Sequence, residues 1–490
     1  MLSFDPDKID IPEGNFIGGK YLKMKEGSLA VNRPSDGKTY ASLSEAGIND
    51  VDNAVNIAEN ARQESGWSAC SPRERGAVMR RWADLIEQDS DYLGRLEAAG
   101  STRPVTEVMQ HEIPFTAAAI RFYGECADKY SGDLLPTASH SLGMVIPEPY
   151  GVVGAITPWN FPLSMASWKC GPALAAGNAV VLKPSELTPF STARMAELAV
   201  RAGLPAGVLN IVQGRGQLTG SALVKHPLVR KVSFTGSTAT GAGIMSDAAV
   251  HGMKPVTLEL GGKSPQLVFD DAGDPQAIAL RIFRGFTANG GQACVAGTRL
   301  VIQRGIAPAV TEHLIRLCSQ VTPGNTWLES SRYSPLIDHR QGEKVAGIVA
   351  LAREQGAEVL TGGERFAGTG EGWFYRPTLL SGVSRENCAV REEIFGPVLT
   401  LQLFDDEEEG LALCRHETYG LCAGVHTSTL AVALRAIKSL DAGTVWVNRY
   451  GRSGDFIIPT GGFMGSGIGK DLGKQAFQAC QRQKSVLIDF

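Results

Sequence analysis

Two patterns of hydrophobic and polar positions divide the chain near residue 142. Before that point apolar residues recur at helical spacing, as in 51–63 and 73–99, with charged residues between them. A further helix is predicted over 115–129. From Gly143 onward, short β-branched runs alternate with helical segments, and this alternation predicts a parallel sheet with helices on both faces.

The runs that are typical of buried strands end in glycine, proline or serine, as expected where strands turn into helices. They are 151–157, 179–182, 208–212, 231–234 and 256–260 in a first series, and 266–269, 299–302, 398–404, 421–427 and 443–448 in a second. The helix after Leu187 is expected to be capped by Thr188, with Pro189 in its first turn. The sequence therefore predicts an α/β fold with two α/β domains and small protruding segments.

Composition fits a soluble enzyme-sized protein better than a nucleic-acid or membrane binder. The 490 residues exceed one ordinary core, so two or three domains are expected. A net charge of −4 gives no general attraction to nucleic acid or anionic lipid. No apolar stretch reaches membrane-spanning length, and the amino terminus has no basic-then-apolar signal. We expect a cytoplasmic protein.

Cysteine usage indicates a reducing compartment without a structural metal. The nine cysteines are scattered, and none forms a C-x-x-C pair or stands at metal-ligand spacing from histidine. They are Cys70, Cys126, Cys170, Cys294, Cys318, Cys388, Cys414, Cys422 and Cys480.

Chemistry-bearing residues follow several of the predicted strands. Ligands of open α/β sheets bind outside the carboxyl ends of the strands, so residues that end neighbouring strands should meet at one edge. The residues brought there are Asn160, Lys183, Glu186, Gly236, Ser237 and Glu259. The turn from strand into helix at 236–241 could hold a phosphate at its backbone N–H groups, although Ser and Thr also cap ordinary helices.

One cysteine, Cys294, lies in a run of small residues, FTANGGQACVAGTR, before an apolar strand. Small neighbours allow another molecule to approach the sulfur, and glycine permits unusual backbone angles. A single cysteine is more often simply buried. The polar residues predicted at the sheet edge favour a catalytic interpretation of this one.

Six motifs in this order resemble those of the NAD(P)-dependent aldehyde dehydrogenase superfamily, of the hydrolytic, non-acylating type. They are Pro158-Trp159-Asn160-Phe161-Pro162, Lys183-Pro184-Ser185-Glu186, Phe234-Thr235-Gly236-Ser237-Thr238, Leu258-Glu259-Leu260-Gly261-Gly262-Lys263, Gly291-Gln292-Ala293-Cys294 and Glu392-Glu393-Ile394-Phe395-Gly396-Pro397. The resemblance covers nearly the whole chain. It implies oxidation of an aldehyde to a carboxylic acid through a cysteine thiohemiacetal and thioester.

The resemblance also implies roles for individual residues. Its catalytic residues would be the nucleophile Cys294, the water base Glu259, the oxyanion donor Asn160, and Lys169. NAD, with NADP as a possible alternative, would be held by Thr157, Trp159, Lys183, Ser185, Glu186, Gly236, Ser237, Glu393 and Phe395. A carboxylate at Glu186 would repel a 2′-phosphate, which favours NAD. No metal is implied.

The substrate is less well defined by the sequence. Phe161, Met165 and Trp168 are expected to line the substrate tunnel, although such residues are usually core. By position, 449–456 resembles a substrate-facing loop, where Arg449 or Arg452 could pair with the carboxylate of a semialdehyde. Solvated arginines are the commoner case.

At two positions near the site the sequence differs from residues that are common in this family. Thr460 replaces an aromatic residue that often walls the tunnel in the family, and Asp471 stands where glutamate is common.

The resemblance implies a Rossmann-like cofactor domain (1–126 and 150–260), a catalytic domain (261–461) and a small β oligomerisation arm (127–149 and 470–490). A homodimer or homotetramer is expected, with a small aldehyde as substrate and neither nucleic acid nor membrane as partner. Three alternatives are a coenzyme A-acylating enzyme, a cysteine esterase or hydrolase without nicotinamide, and a catalytically silent protein on the same scaffold.

Overall fold

The computed structural model describes residues 2–24 and 27–490, which form two large sheets and three smaller ones. The strands are β1 (Asn15–Ile17), β2 (Lys20–Leu22), β3 (Ser28–Asn32), β4 (Thr39–Ser44), β5 (Asp133–Leu135), β6 (Ser141–Pro149), β7 (Val152–Ile156), β8 (Ala179–Lys183), β9 (Leu209–Ile211), β10 (Val229–Thr235), β11 (Val256–Glu259), β12 (Pro265–Val268), β13 (Arg299–Gln303), β14 (Glu358–Thr361), β15 (Thr378–Ser381), β16 (Val398–Phe404), β17 (Tyr419–Gly420), β18 (Cys422–His426), β19 (Thr444–Val447), β20 (Phe463–Met464), β21 (Gly467–Ile468) and β22 (Gln481–Asp489).

Helices connect most of these strands. They are α1 (Ile48–Glu64), α2 (Pro72–Gln88), α3 (Ser90–Gly100), α4 (Val105–Glu107), α5 (Ile113–Cys126), α6 (Pro162–Ala175), α7 (Phe190–Arg201), α8 (Ser221–Lys225), α9 (Thr238–Val250), α10 (Pro275–Thr287), α11 (Ala307–Ser319), α12 (His339–Glu354), α13 (Cys388–Arg391), α14 (Glu407–Cys414), α15 (Leu430–Ser439) and α16 (Gly473–Ala479). A π-helical turn, Val108–Glu112, joins α4 to α5.

The first large sheet has the strand order β2-β1-β9-β8-β7-β10-β11-β21. Its central strands, β9 to β11, are parallel, as the alternation of strands and helices predicts. One edge is closed by β21, which pairs antiparallel with the end of β11, so that Gly467 lies opposite Glu259. A distant tail segment thereby reaches the carboxyl end of the sheet.

The second large sheet has the order β14-β15-β16-β13-β12-β18-β19 and is parallel except for β14. The predicted α/β fold with two parallel sheets is therefore confirmed. In a third, antiparallel sheet, β6 lies between β5 and β22, and β22 pairs with β6 along nine residues. The domain boundaries stay a prediction.

Two details of the sequence analysis are wrong. The helix after Leu187 begins at Phe190, with Pro189 as N-cap, and the hydroxyl of Thr188 caps nothing. The segment before residue 142, expected to be mostly helical, also contains β1 to β4, of which β1 and β2 extend the first sheet. These strands are short and partly exposed, so their hydrophobic alternation is weak.

Candidate active site

A cavity of about 570 Å³ opens where the ends of β7, β10 and β11 face the loop before β13. Twelve of the predicted site residues line it: Trp159, Asn160, Phe161, Met165, Trp168, Gly236, Ser237, Glu259, Cys294, Glu393, Phe395 and Arg452. The structure therefore brings together residues that are up to about 300 positions apart in the sequence.

The loop that carries Cys294 has an unusual backbone. After α10 ends, Asn289 and Gly290 adopt left-handed angles, with φ of 53° and 63°. Gly291 also has positive φ (74°), and a Cβ there would overlap the carbonyl of Gly396. This loop therefore packs directly, backbone to backbone, against the segment that follows Phe395.

The thiol of Cys294 lies in the wall of the cavity. The residue is partly buried and stays partly accessible from the cavity. Burial raises the pKa of the thiol to about 12, and the guanidinium of Arg452 opposes this rise. At neutral pH the thiol is therefore protonated and needs a base before it can act as a nucleophile.

Asn160 follows β7 and is buried beside the Cys294 loop. Its Nδ2 donates to the carbonyl oxygen of Gln292 at 2.9 Å. An amide nitrogen carries two N–H groups, so a second donor remains. The position of Asn160 on the cavity wall makes that donor available to a molecule in the cavity.

Glu259 is the last residue of β11 and is also buried. Its Oε1 accepts a hydrogen bond from the backbone N–H of Asp471 at 3.3 Å. Burial, and after it the negative charge of Asp471, raise the pKa of the Glu259 carboxyl to about 8. A carboxyl with such a pKa can accept a proton near neutral pH.

Lys169, predicted to be catalytic, does not line the cavity. It projects from α6, and its Nζ lies 2.6 Å from Oδ2 of Asp471, with both side chains almost fully buried. Since Asp471 also contacts Glu259, Lys169 reaches the cavity through Asp471. A positioning role fits this arrangement better than contact with a reacting atom.

A second side of the cavity is lined by the residues predicted to bind the cofactor. Ser237 is the N-cap of α9, and its hydroxyl accepts from the N–H of Thr240. Across the cavity, Oε1 of Glu393 accepts from the backbone N–H of Gly262 at 2.9 Å. The rings of Trp159 and Phe395 meet edge to face, with centroids 5.4 Å apart.

Thr157, Lys183, Ser185 and Glu186 lie outside this cavity, at the ends of the neighbouring strands β7 and β8. Lys183 Nζ is 3.0 Å from Oε2 of Glu186. The backbone N–H of Thr157 donates to the carbonyl of Lys183, which joins the two strand ends. The sheet rule therefore predicts their shared edge correctly.

Aromatic side chains surround the remaining side. Phe161, Met165 and Trp168 line it, and Phe115 adds a further ring. The guanidinium carbon of Arg452 lies 5.2 Å from the ring centroid of Trp168, and its Nη2 donates to the hydroxyl of Thr460. Thr460, which replaces an aromatic residue, thus supplies an acceptor for this arginine.

Arg103 is a cavity residue that the sequence analysis missed. It stacks on Phe161 at 4.7 Å from guanidinium carbon to ring centroid. Its charge is paired with Glu107, the last residue of α4, and with Glu112, the last residue of the π-helical turn. Nothing in the local sequence distinguishes Arg103 from a solvated arginine, because its carboxylate partners depend on that irregular turn.

Asn289 and Gln292 were also missed as site residues. Both are buried in the Cys294 loop and bond to other segments through their amide groups. The dipeptide Asn-Gly at 289–290 is a signal for left-handed backbone that could have identified the turn.

A parallel sheet with a helix start at its carboxyl edge is the arrangement of dinucleotide-binding enzymes, and a thiol beside it adds covalent chemistry. The sequence model of the family described as "Aldehyde dehydrogenase family" matches residues 21–486. The chain belongs to the aldehyde dehydrogenase family. It is an NAD(P)-dependent oxidoreductase that converts an aldehyde into a carboxylic acid.

Individual relatives are similar over almost their whole length. An aldehyde dehydrogenase of Aspergillus niger is 40% identical over 481 residues, which are 98% of this chain and 95% of that protein. A crystal structure of an indole-3-acetaldehyde dehydrogenase with NAD+ is 38% identical, with a TM-score of 0.96 over 99% of this chain and 98% of the other. The NAD+ complex of a Bacillus cereus aldehyde dehydrogenase is 36% identical, with a TM-score of 0.95 over 98% and 96%.

Two other kinds of feature are absent from the part of the chain that the structure describes. Within 2–24 and 27–490, no helix combines the length and apolar character needed to cross a membrane. The same residues contain no group of three or more His, Cys, Asp or Glu side chains arranged to hold a metal ion.

Proposed function

We propose that Cys294, Asn160 and Glu259 carry out aldehyde oxidation in two stages, acylation of the thiol and hydrolysis of the thioester. The observation that carries this proposal is that the three side chains line one cavity together with Ser237, Glu393 and Phe395. The thiol of Cys294 first loses its proton to solvent. The thiolate then attacks the aldehyde carbon, and the electrons of the C=O bond move to oxygen. The carbon becomes tetrahedral and carries an oxyanion.

Asn160 stabilises this oxyanion. The carbonyl of Gln292 holds one N–H of the Asn160 amide, which leaves the other to donate to the developing charge. A neutral amide donates without releasing a proton. Removing such a donor typically raises the barrier by about 3–4 kcal/mol.

The residues around the second side of the cavity fit NAD. The start of α9 at Ser237 suits a diphosphate, because the first N–H groups of a helix have no partner within it. Gly236 lies directly before it, and Lys183 with Glu186 suits ribose hydroxyls. Glu393 is held by Gly262 in a position to bind a second ribose. Trp159 and Phe395 offer ring surfaces, while Ser185 and the unpartnered, buried hydroxyl of Thr157 lie at the same strand ends. When bound, the nicotinamide of NAD+ would supply the acceptor for the hydride of the tetrahedral carbon.

Glu259 drives the second stage. Its carboxylate takes a proton from water, the water oxygen attacks the thioester carbon, and the thiolate of Cys294 leaves with the acid as product. The raised pKa of Glu259 supports this role, because a carboxyl of that pKa can take a proton from water and then release it to solvent near neutral pH. Lys169 and Asp471 position Glu259 through the contact from the Asp471 backbone.

We further propose that the substrate is a semialdehyde, an aldehyde that also carries a carboxylate. Arg452 supports this class because it lines the cavity, forms no ion pair within the described residues, and is half-enclosed by Trp168 and Thr460. Arg103, by contrast, already has two carboxylate partners. The rings of Phe161 and Trp168, with Met165, would contact the apolar part of the substrate.

The alternatives make different products. A coenzyme A-acylating enzyme would need to keep water from its thioester, whereas Glu259 is suited to activating water. A cysteine hydrolase would have no use for the dinucleotide-type strand ends. The test is oxidation of an aldehyde with NAD+, with and without coenzyme A, while free acid, acyl-coenzyme A and NADH are measured. Equal yields of free acid and NADH support the proposal, and formation of acyl-coenzyme A refutes it.

We also propose a homodimer or homotetramer in the cytoplasm. β22 is an edge strand of its sheet, and the side chains of Leu487 and Ile488 within it and of Phe490 directly after it are exposed. Unpaired edge strands of this kind pair readily with another chain. All nine cysteines are free, which supports a reducing compartment. The division into a cofactor domain (1–126 and 150–260), a catalytic domain (261–461) and arm segments (127–149 and 470–490) is part of the same proposal.

A further inference from the structure

Asn289, the left-handed residue before Gly290, joins three separate segments through its side-chain amide. Its Nδ2 donates to the backbone oxygen of Asn160 at 2.9 Å. Its Oδ1 accepts from the hydroxyl of Thr102 at 2.6 Å. The same Nδ2 also donates to the carbonyl oxygen of Gln292, at 3.5 Å. The side chain is buried and its polar atoms are all engaged.

These bonds converge on the oxyanion donor from two directions. Asn289 holds the backbone of Asn160, while the carbonyl of Gln292 holds the Nδ2 of Asn160 at 2.9 Å. That same carbonyl is the second acceptor of Asn289. The backbone and the side chain of Asn160 are therefore both tied to the loop that carries Cys294. The free N–H of Asn160 has a direction set by these two ties.

We propose that Asn289 is a positioning residue for the oxyanion donor, which it aligns with the sulfur of Cys294. The proposal rests on the proposed role of Asn160. Asn289 does not touch the substrate. It fixes the distance between the segment after β7 and the Cys294 loop, so that donor and nucleophile keep a constant spacing when the oxyanion forms.

The chemistry of the position explains why asparagine is suited to it. A φ of 53° is accessible to Gly, Asn and Asp at little cost, and other side chains are strained there. Among these three, only asparagine both donates twice and accepts. Glycine would keep the turn and lose the ties, and aspartate would place an oxygen against two carbonyl oxygens.

The loop has a second set of anchors that does not involve the Asn289 side chain. Gln292 Nε2 donates to the carbonyls of Asn289 and Pro335 at 2.8 and 2.9 Å, and its Oε1 accepts from the N–H of Ile337. Removing the Asn289 amide therefore leaves the loop attached. A specific effect on Asn160 can be separated from collapse of the loop.

The experiment is a double-mutant cycle between Asn289→Gly and Asn160→Ala. The readout is the burst of p-nitrophenolate from p-nitrophenyl acetate, which acylates a thiol through the same kind of oxyanion without any cofactor. We expect Asn289→Gly alone to slow the burst by roughly tenfold or more. A misaligned donor loses part of the oxyanion stabilisation that is lost completely when the donor is removed. In the Asn160→Ala background the same change should slow it less than about threefold, because the group that it aligns is gone.

Two controls keep the result interpretable. Asn178→Asp changes another buried asparagine that bonds three backbone groups, away from the cavity, and should leave the burst unchanged. Thr102→Val removes only the hydroxyl that orients Asn289. It should slow the burst by a smaller factor, and this slowing should also disappear in the Asn160→Ala background. If Asn289→Gly does not fold, the comparison of Thr102→Val in the two backgrounds tests the inference instead.

The outcomes are distinct. Equal factors for Asn289→Gly in both backgrounds, or no slowing in either, would overturn the inference while leaving Asn160 as the donor. An unchanged burst in Asn160→Ala would refute the proposed function of Asn160 and the inference with it. Slowing by Asn289→Gly that disappears in Asn160→Ala supports both.

Discussion

Lys169 and Asp471 form an ion pair of 2.6 Å in which both side chains are almost fully buried. The two residues are 302 positions apart, and their contact ties α6 to the tail of the chain. Because the N–H of Asp471 donates to Glu259, the pair also fixes the base. Removing one partner of such a pair leaves a buried charge and typically costs about 3–5 kcal/mol.

Substitutions at this pair should shift the pH dependence of thioester hydrolysis in opposite directions. Asp471→Asn removes a negative charge that raises the pKa of Glu259, so the pH profile should move to lower pH. Lys169→Met removes a positive charge that lowers it, so the profile should move to higher pH. Single-turnover hydrolysis of the acyl-enzyme between pH 6 and 9 measures both shifts.

The matched control for this pair is Asp405→Asn, which breaks an exposed ion pair with Arg304 far from the cavity. It should not appreciably move the pH profile of thioester hydrolysis. It should also leave the midpoint of unfolding in urea almost unchanged, since exposed ion pairs contribute little to stability. Shifts in the same direction for Asp471→Asn and Lys169→Met would contradict an electrostatic effect on Glu259.

Glu259→Gln should trap the acyl-enzyme. Acylation of Cys294 continues, while hydrolysis loses its base and slows by roughly 100-fold or more. Intact-mass measurement after one turnover should then show the mass of the acyl group on the protein. In the unsubstituted enzyme hydrolysis should fall about tenfold per pH unit below about 8, where Glu259 is protonated, and the variant should lose this dependence. Full turnover without an adduct would rule out Glu259 as the base.

Arg452→Met should discriminate between substrates. Loss of a hydrogen-bonded charge pair costs about 1.5–3 kcal/mol, which lowers kcat/KM for ω-carboxylated aldehydes by roughly 10- to 150-fold. Neutral aldehydes of the same length should be affected much less. Arg449→Met is the matched control, because Arg449 is exposed on the same loop and does not line the cavity. Equal losses for both substrate classes would remove the semialdehyde assignment.

The same substitution should make the thiol harder to ionise. Arg452 opposes the rise in the pKa of Cys294, so Arg452→Met should raise that pKa further. The rate of alkylation by iodoacetamide should therefore increase at higher pH in the variant than in the unsubstituted protein, with Arg449→Met unchanged. A midpoint that moves to lower pH would show that Arg452 does not act on the sulfur through its charge.

The sequence predicts the parallel sheets and much of the cavity because both depend on local patterns. Asn160 and Glu259 each follow a buried strand, and parallel strands bring their carboxyl ends to one edge. The resemblance adds Glu393 and Phe395, which follow no strand. The site residues that can be predicted from the sequence are therefore those that follow a strand or belong to one of the family motifs.

The remaining parts of the site depend on contacts between distant segments. The side chain of Asn289 donates to backbone oxygens of other residues. The Asn-Gly pair suggests left-handed backbone angles at this turn, but it does not specify which oxygens the side chain meets. The pairing of Arg103 depends on a π-helical turn, which has no sequence period of its own. Likewise β21 is only two residues long, and its place beside β11 could not be inferred from its composition.

The close approach of Gly291 to Gly396 has a mechanical consequence. No side chain separates the backbone of the Cys294 loop from the backbone of the segment that carries Glu393 and Phe395. Neither segment can therefore move without displacing the other. The position of the Cys294 sulfur and the position of the segment proposed to bind the dinucleotide are therefore coupled. A displacement of either backbone segment would displace the other.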